Sequence, residues 1–354
     1  MAAVRVALVG CGNIAAQYAR TIAAEPELEL VGGTDVVPGR AAELVARFGG
    51  TDYPTLDSLL GDDGIDTVVN LTAPQAHAEV TAQCLEAGKH VHTEKPLALR
   101  YEEARELAEL AVRQDVRLSC APATLLGEAQ QTAWKLVREG ALGTVRAVYA
   151  DANWGRIETW HPSPQGLYGV GPLVDVGIYP IAILTAIFGP VRRVHAYCAM
   201  LEPDRVTLTG TPFSLETPDF NVALLELEAG VVVRLTATFW VRAGRQVGLE
   251  LHGDDASLHL ASWLEFDSQL DLSVDGKEYA PVPLVRAPYR GVHWGRALVD
   301  LAEAIAEGRP HRASADHAVH VVEVLNAVAR STRDETAVAV ASGFQPPTPM
   351  EWSS

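Results

Sequence analysis

Two sets of residues in this 354-residue chain have types and spacing suited to chemistry. The first is Gly10-Cys11-Gly12-Asn13-Ile14-Ala15, directly after an apolar run that reads as a strand. Gly10 permits a tight turn, Gly12 lets backbone approach a pyrophosphate, and Ala15 is small enough for a helix to pack on the strand. A helix opening there offers unbonded N–H groups and a partial positive charge to phosphates. Asp35 follows twenty residues after Ala15, at the end of the next strand. A carboxylate there accepts hydrogen bonds from a ribose and repels a 2′-phosphate, which favours NAD over NADP. Arg40 lies close enough in sequence to weaken that preference. A turn aspartate before Pro38-Gly39 is the competing reading. The second set is Glu94-Lys95-Pro96 at a later strand end, and Asp175 with Tyr179. Lys95 can hold a substrate hydroxyl, and its own pKa should fall beside a cationic ring. A surface lysine capping a loop is the alternative. Asp175 and Tyr179 are four apart, so one helical face can present both. A buried tyrosine hydrogen-bonded within a core helix is the alternative there.

Weaker candidates flank these. Thr72-Ala73-Pro74-Gln75-Ala76-His77 follows a strand. Pro74 restrains the loop as it leaves. His77 falls near a helix N-terminus, which disfavours its protonated form. It reads equally as a partly exposed helix-start histidine. Trp154, Arg156, Trp160, His161 and Tyr168 crowd one stretch before Asp175. Aromatic faces suit the C–H faces of sugars, and Arg donates to hydroxyls. Such a loop is as readily structural. Trp240 and His293-Trp294 rank lower. His317, His320 and Glu323 share a helical face, with His311 upstream, but no second ligand set or HExxH pattern accompanies them. A solvated helix face is expected, and no metal.

The elements that must position these residues change character along the chain. Up to about residue 121, apolar runs at 4–9, 28–35, 67–71, 90–94 and 117–121 alternate with helix-period segments at 14–24, 40–48, 77–87 and 101–114. That alternation predicts a parallel sheet covered on both faces. Helices follow at 130–139 and 173–188, with strands at 144–153, 194–200, 220–227, 231–239, 247–252, 257–260 and 270–274. Short turns between most of these predict an antiparallel sheet. Helices at 295–307 and 316–331 close the chain. The fold class is therefore α/β: a doubly wound parallel sheet in a dinucleotide-binding domain over 1–121, then an α+β domain over 122–354 with a large, open, mostly antiparallel sheet.

Apolar residues make up 48% of the chain, enough for a sizeable core. The net charge of −17 argues against nucleic-acid or anionic-membrane partners, which need a basic face. Cys11, Cys84, Cys120 and Cys198 show no CxxC spacing and read as reduced thiols of a cytoplasmic protein. No leader pattern is visible, and the uncharged runs at 6–19 and 176–191 are short for a bilayer-spanning helix. Neither GxSxG nor GxxxxGK[ST] occurs, so acyl transfer and P-loop chemistry lack support.

The glycine turn together with Glu94-Lys95-Pro96 and Gly169-Val170-Gly171-Pro172-Leu173-Val174-Asp175-Val176-Gly177-Ile178-Tyr179-Pro180 resembles the glucose-fructose oxidoreductase / inositol dehydrogenase (Gfo/Idh/MocA) family. The resemblance runs on through 289–291 and 308–313. It implies a Rossmann domain, with Gly10, Gly12, Asn13, Ile14, Asp35, Arg40, Thr72, Pro74, His77, Glu94, Lys95 and Pro96 around NAD, or NADP. It implies that Lys95 lies beside the nicotinamide. Many relatives carry Asp-x-Gly-x-His where this chain has Asp175-x-Gly177-x-Tyr179. The tyrosine form is similar to dimeric dihydrodiol and xylose dehydrogenases, where this residue is the acid/base. The family implies a carbohydrate or polyol substrate, met here by Trp154, Arg156, Trp160, Tyr168 and Asp175, and a homodimer or homotetramer built on the second sheet. Hydride transfer with a sugar, glycoside or cyclitol secondary alcohol is the expected reaction. A redox-neutral lyase or glycosidase with retained NAD, and a sensor without turnover, are the alternatives.

Overall fold

The computed structural model describes residues 3–354. In chain order the first elements are β1 (Val4–Val9), α1 (Ala15–Ala24), β2 (Leu28–Thr34), α2 (Arg40–Phe48), β3 (Thr51–Asp52), α3 (Leu56–Leu60), β4 (Thr67–Asn70), α4 (His77–Glu86), β5 (His90–Thr93), α5 (Tyr101–Arg113) and β6 (Leu118–Cys120). All six strands are parallel, in the order β3-β2-β1-β4-β5-β6. Alternate side chains of the central strands feed two cores. Val6, Leu8 and Val69 pack with Ala15, Tyr18 and Ile22 of α1 and with Leu44 of α2. Ala7, Val9, Val68 and Val91 pack with Leu85 of α4 and Leu107 of α5. The sheet is thus covered on both faces, as near-continuous apolar strands require.

The chain then runs through α6 (Glu128–Arg138), β7 (Val145–Asn153), α7 (Gln165–Pro172), α8 (Ile178–Phe188), β8 (Val191–Ala199), β9 (Asp204–Val206), β10 (Pro212–Ser214), β11 (Phe220–Leu227), β12 (Val232–Thr238), β13 (Gly248–Gly253), β14 (Ala256–Leu260), β15 (Leu270–Val274), β16 (Ala280–Pro281), α9 (Arg296–Glu307), α10 (Ala315–Asp334) and β17 (Val338–Ala339). Nine of these strands form one open sheet, β16-β15-β14-β13-β7-β12-β11-β8-β17. Only β7 and β12 pair in parallel in it. β9 and β10 make a separate hairpin.

Two compact units result. Residues up to Ala123 go with His293–Val322, and Thr124–Val292 goes with Glu323–Ser354. A simple division after residue 121 would leave 293–322 in the second domain, and the packing corrects this. Leu298 and Ala302 of α9 join the core on one face of the parallel sheet, and Val319 and Val322 of α10 join the core on the other. Burying a side chain such as Leu298 stabilises by roughly 1.5–3 kcal/mol, so the returning helices are part of that unit's stability.

The apolar stretch expected as a helix over 173–188 is more complex. A π turn spans Leu173–Gly177 ahead of α8, and Gly171, at φ 77°, breaks the helical path before it. By length and composition Gln165–Phe188 could cross a membrane, with an 18-residue window of mean hydropathy 1.8, yet 72% of that window is buried inside the protein. It is the core helix against which the second sheet packs.

Candidate active site

In the first unit the strand order reverses between β1 and β4, and ligands of such sheets gather beyond the carboxyl ends at that point. Gly10 sits there at φ 90°, and a Cβ on it would come within 2.7 Å of the Leu71 backbone. Gly12 differs: a Cβ there would meet no other part of the chain within 4 Å. Its absence is therefore not demanded by packing, and it clears the approach to the start of α1. No side chain caps that helix and no acidic residue lies in its first turn. Its leading N–H groups suit an anion. These features fit a dinucleotide. Asn13 is exposed and Ile14 half-buried at the same turn.

Asp35 is more engaged than a ribose ligand needs to be. Its Oδ2 accepts the Cys11 N–H at 2.6 Å and its Oδ1 the Val37 N–H at 2.7 Å. The carboxylate therefore braces the glycine turn as well as ending β2. Arg40 approaches only to 3.9 Å and is half exposed.

Thr72 hydrogen-bonds the Asn70 side chain through both N–H and hydroxyl. Pro74 begins a short 3-10 turn leading to α4. His77 is not a partly exposed helix-start residue: it is 1% exposed. Its Nδ1 lies 2.7 Å from the Pro96 carbonyl and its Nε2 3.0 Å from that of Thr72. It clamps the two strand-end loops to each other from below. Burial holds its pKa below the usual value, against the pull of both carbonyls.

Glu94 is the first residue beyond β5. Tyr18 of α1 donates its hydroxyl to Glu94 Oε1 at 2.7 Å, and Glu94 Oε2 accepts the Lys95 N–H at 3.2 Å. Lys95 is half-buried and Pro96 buried.

In the second unit Asp175 lies within the π turn and is half-buried, while Tyr179 opens α8 and is 6% exposed. A shared face at 3.6 residues per turn does not apply, because the π turn is wider and rotates Asp175 relative to Tyr179. Such turns concentrate at functional sites. The Tyr179 ring packs on Trp263, with centroids 5.1 Å apart, and Trp263 packs on Trp154 at 5.8 Å. Trp263 is fixed by its indole N–H, which donates to the Asp151 carbonyl at 3.2 Å. An aromatic row thus runs from buried Tyr179 to Trp154, which is 40% exposed. Nothing in the sequence marked Trp263, which sits far along the chain beyond β14.

Trp160 is exposed, edge-on to His161. Tyr168 is a correction: it is buried, its hydroxyl donates to Glu158, and it accepts the Ile157 N–H at 3.2 Å. Arg156 is likewise committed to the protein, to Glu158 at 2.6 Å and Glu202 at 3.4 Å, with its guanidinium 5.3 Å above Trp240. Both belong to a buried network around Arg205, whose side chain is fully covered and meets Asp219 at 2.5 Å and Glu158 at 3.1 Å. Burial raises the Glu158 pKa, but the bonds from Tyr168 and Arg156 outweigh it and leave the carboxyl below its usual range.

His317, His320 and Glu323 are buried, contrary to a solvated face. Neighbours of α10 cover it almost all round, which removes the polar side that the expectation assumed. Burial pushes His317 down to about 3, with His320 adding to the effect, and Glu323 accepts the N–H groups of Ala341 and Ser342. No group of three or more such side chains with metal-binding geometry exists among the described residues. The cysteines are free thiols.

Residues 4–121 match the family model described as GFO_IDH_MocA, oxidoreductase family, NAD-binding Rossmann fold, and residues 130–259 match the GFO/IDH/MocA C-terminal domain. The dTDP-3,4-didehydro-2,6-dideoxy-alpha-D-glucose 3-reductase of Streptomyces antibioticus is 30% identical over 253 residues, 68% of this chain and 74% of that one. The enzyme of the same name from Actinomadura kijaniata is 29% identical over 240 residues, 66% of this chain and 68% of that one. Among solved structures, levoglucosan dehydrogenase in complex with NADH and L-sorbose shares the fold, with a TM-score of 0.82, 22% identity and coverage of 96% of this chain and 99% of that one.

Proposed function

The chain belongs to the Gfo/Idh/MocA family of oxidoreductases with an NAD-binding Rossmann domain, and from that premise we propose that it is an NAD-dependent dehydrogenase or reductase acting on a secondary alcohol or ketone of a sugar, glycoside or cyclitol. The observation that carries the substrate class is the row Trp154–Trp263–Tyr179. It sets a phenol at the buried end of an aromatic surface, the kind of surface that takes the C–H face of a sugar ring. The sugar names of the two reductases and of the levoglucosan enzyme point the same way.

Each unit has its own part in this reading. The N-terminus of α1 with Gly10, Gly12, Asn13 and Ile14 would hold the pyrophosphate, Asp35 the adenosine ribose, and the Thr72–Pro74 and Glu94–Pro96 loops the nicotinamide end. Bound nicotinamide supplies the hydride acceptor or donor. Tyr179 moves the hydroxyl proton, Lys95 assists by holding the oxygen, and Asp175 holds a neighbouring hydroxyl or orients Tyr179. Trp154 and Trp160 offer apolar surface to the ring. Free cysteines fit a reducing cytoplasm.

Incubating the purified protein with NAD and a sugar and polyol panel tests this. Steady growth of NADH absorbance with one of them is expected. Product without NADH would move the protein to the redox-neutral class, and no turnover across the panel with either cofactor would overturn the reading.

A further inference from the structure

We propose that Tyr18, His92 and Ser119 form a directional hydrogen-bond chain that positions Glu94, and through it the main chain of Lys95. The inference deepens the reading above and rests on it for the role of Lys95. All three side chains are fully buried in the first unit. They come from three elements: α1, β5 and β6.

The direction follows from what each atom can do. A carboxylate only accepts, so the Tyr18 hydroxyl must donate to Glu94 Oε1, 2.7 Å away. Its oxygen is then left to accept, and His92 Nε2 lies 3.2 Å from it. That nitrogen therefore carries the imidazole proton. Burial drives the His92 pKa down to about 3, so the ring is neutral and Nδ1 has no hydrogen. Nδ1 in turn accepts from Ser119 Oγ at 3.0 Å. The opposite tautomer would set two lone pairs against each other between His92 and Tyr18. One proton order satisfies these three contacts together: Ser119 to His92 to Tyr18 to Glu94.

A purely structural account explains this poorly. Three polar groups in a dry core cost free energy unless all are bonded, and apolar side chains would fill the same space without that demand. The chain ends on the half-buried carboxylate that bonds the Lys95 N–H through its other oxygen. Tyr18 also stands one turn into the helix that opens after Gly10 and Gly12. The relay therefore ties the phosphate-binding turn to the strand end that carries Lys95. Tyr18 and His92 are positioning residues, since neither needs to touch substrate.

Two readouts test it. Nitrogen-15 spectra of the histidine rings, assigned by difference against His92→Gln, should show His92 neutral and protonated on Nε2 at pH 7. Protonation on Nδ1 overturns the proposal. This holds whether or not a sugar substrate exists, so its outcome is separate from that of the proposed function. With a substrate in hand, Tyr18→Phe and His92→Leu should each lower kcat by roughly tenfold, the scale of one hydrogen bond to a charged group, with KM for NAD changed less than about twofold. His92→Gln, which keeps an amide donor near Nε2, should recover most of the loss that His92→Leu shows. Equal turnover of the Leu and Gln variants, or normal kcat for Tyr18→Phe, overturns it. Ser119→Ala removes a single hydroxyl and serves if the Tyr18 variant does not fold: the His92 Nδ1 signal must move, and an unmoved signal counts against the chain.

Discussion

Arg156 donates its Nε–H to Glu158 at 2.6 Å, so the guanidinium that the sequence offers to a sugar is held by the protein itself. Glu158 receives Arg156, Arg205 and the Tyr168 hydroxyl together. The network anchors the loop between β7 and α7 while leaving Trp154 and Trp160 at the surface.

Removing the centre of that network should be costly. Arg205 is fully buried against Asp219 and Glu158. Arg205→Met would strand two buried carboxylates, and the expected loss is about 3–5 kcal/mol in urea unfolding. Arg156→Met, at a partly exposed edge, should cost far less. Similar midpoints for the two variants would show that the burial of Arg205 is not what matters.

Cofactor choice should follow Asp35. Its carboxylate is already fixed by the N–H groups of Cys11 and Val37, so it cannot easily turn away from a 2′-phosphate. NAD should bind more tightly than NADP, and Asp35→Ser should improve the relative use of NADP while loosening the glycine turn. A titration in which the unmodified protein prefers NADP would refute this role.

Acid should destabilise the protein through its buried histidines. Burial lowers His92 and His317 from 6.5 to about 3. The unfolded chain binds protons that the folded one refuses, so stability is complete above pH 6.5 and falls as pH drops towards 3. At pH 5 the loss is roughly 2 kcal/mol per ring. Urea melts at pH 7 and pH 5 measure it, and His317→Gln should remove one ring's share of the difference.

The large sheet should mediate self-association. Tyr149, Tyr197, Leu224 and Val232 are exposed on it. Leu224, Arg234 and Tyr149 stand opposite one another across β11, β12 and β7, Val232 lies two residues before Arg234, and Tyr197 pairs with Val222, two residues before Leu224, so all four share one face. Apolar side chains clustered on one face generally find a partner, here a second copy. Sedimentation at micromolar concentration should give a dimer or tetramer, and Leu224→Glu should shift it towards monomer. A clean monomer mass for the unmodified chain would end the proposal.

How far the sequence could be read depends on the range of the signal. The glycine turn, β1 and α1 are local, and Gly10 and Ala15 announce them. The strands of the second sheet alternate strongly enough to be placed within a few residues. Strands β3, β9, β10, β16 and β17 are two or three residues long and carry no period. The burial of Tyr168 and the pairing of Arg156 with Glu158 are tied to Arg205, which is 47 residues from Glu158, and no pattern near either residue reveals it. Trp263 is remote from Tyr179 in the same way. On α10 the charged and apolar residues share a helix covered almost all round, so periodicity could not tell His317 from a solvated residue. The π turn is a matter of backbone geometry, and Asp175-Val176-Gly177 has no side-chain signature for it.

Lys95 and Tyr179 should act on the proton and not on cofactor affinity. Tyr179→Phe keeps the ring that packs 5.1 Å from Trp263, so the core should survive the change. Lys95→Met keeps the length of the stem and loses the charge. Each should lower kcat by roughly a hundredfold or more, the usual scale for losing positioned acid–base help. NAD affinity should move far less, since in the proposed reading the backbone N–H groups at the start of α1, and neither of these side chains, would hold the pyrophosphate. NADH fluorescence titration and steady-state kinetics separate the two effects. The tyrosine decides most, because it is buried, and a buried tyrosine is often only a core residue. If Tyr179→Phe turns over at a near-normal rate with an unchanged pH profile, it is such a residue, and the proton must leave through Lys95 or water.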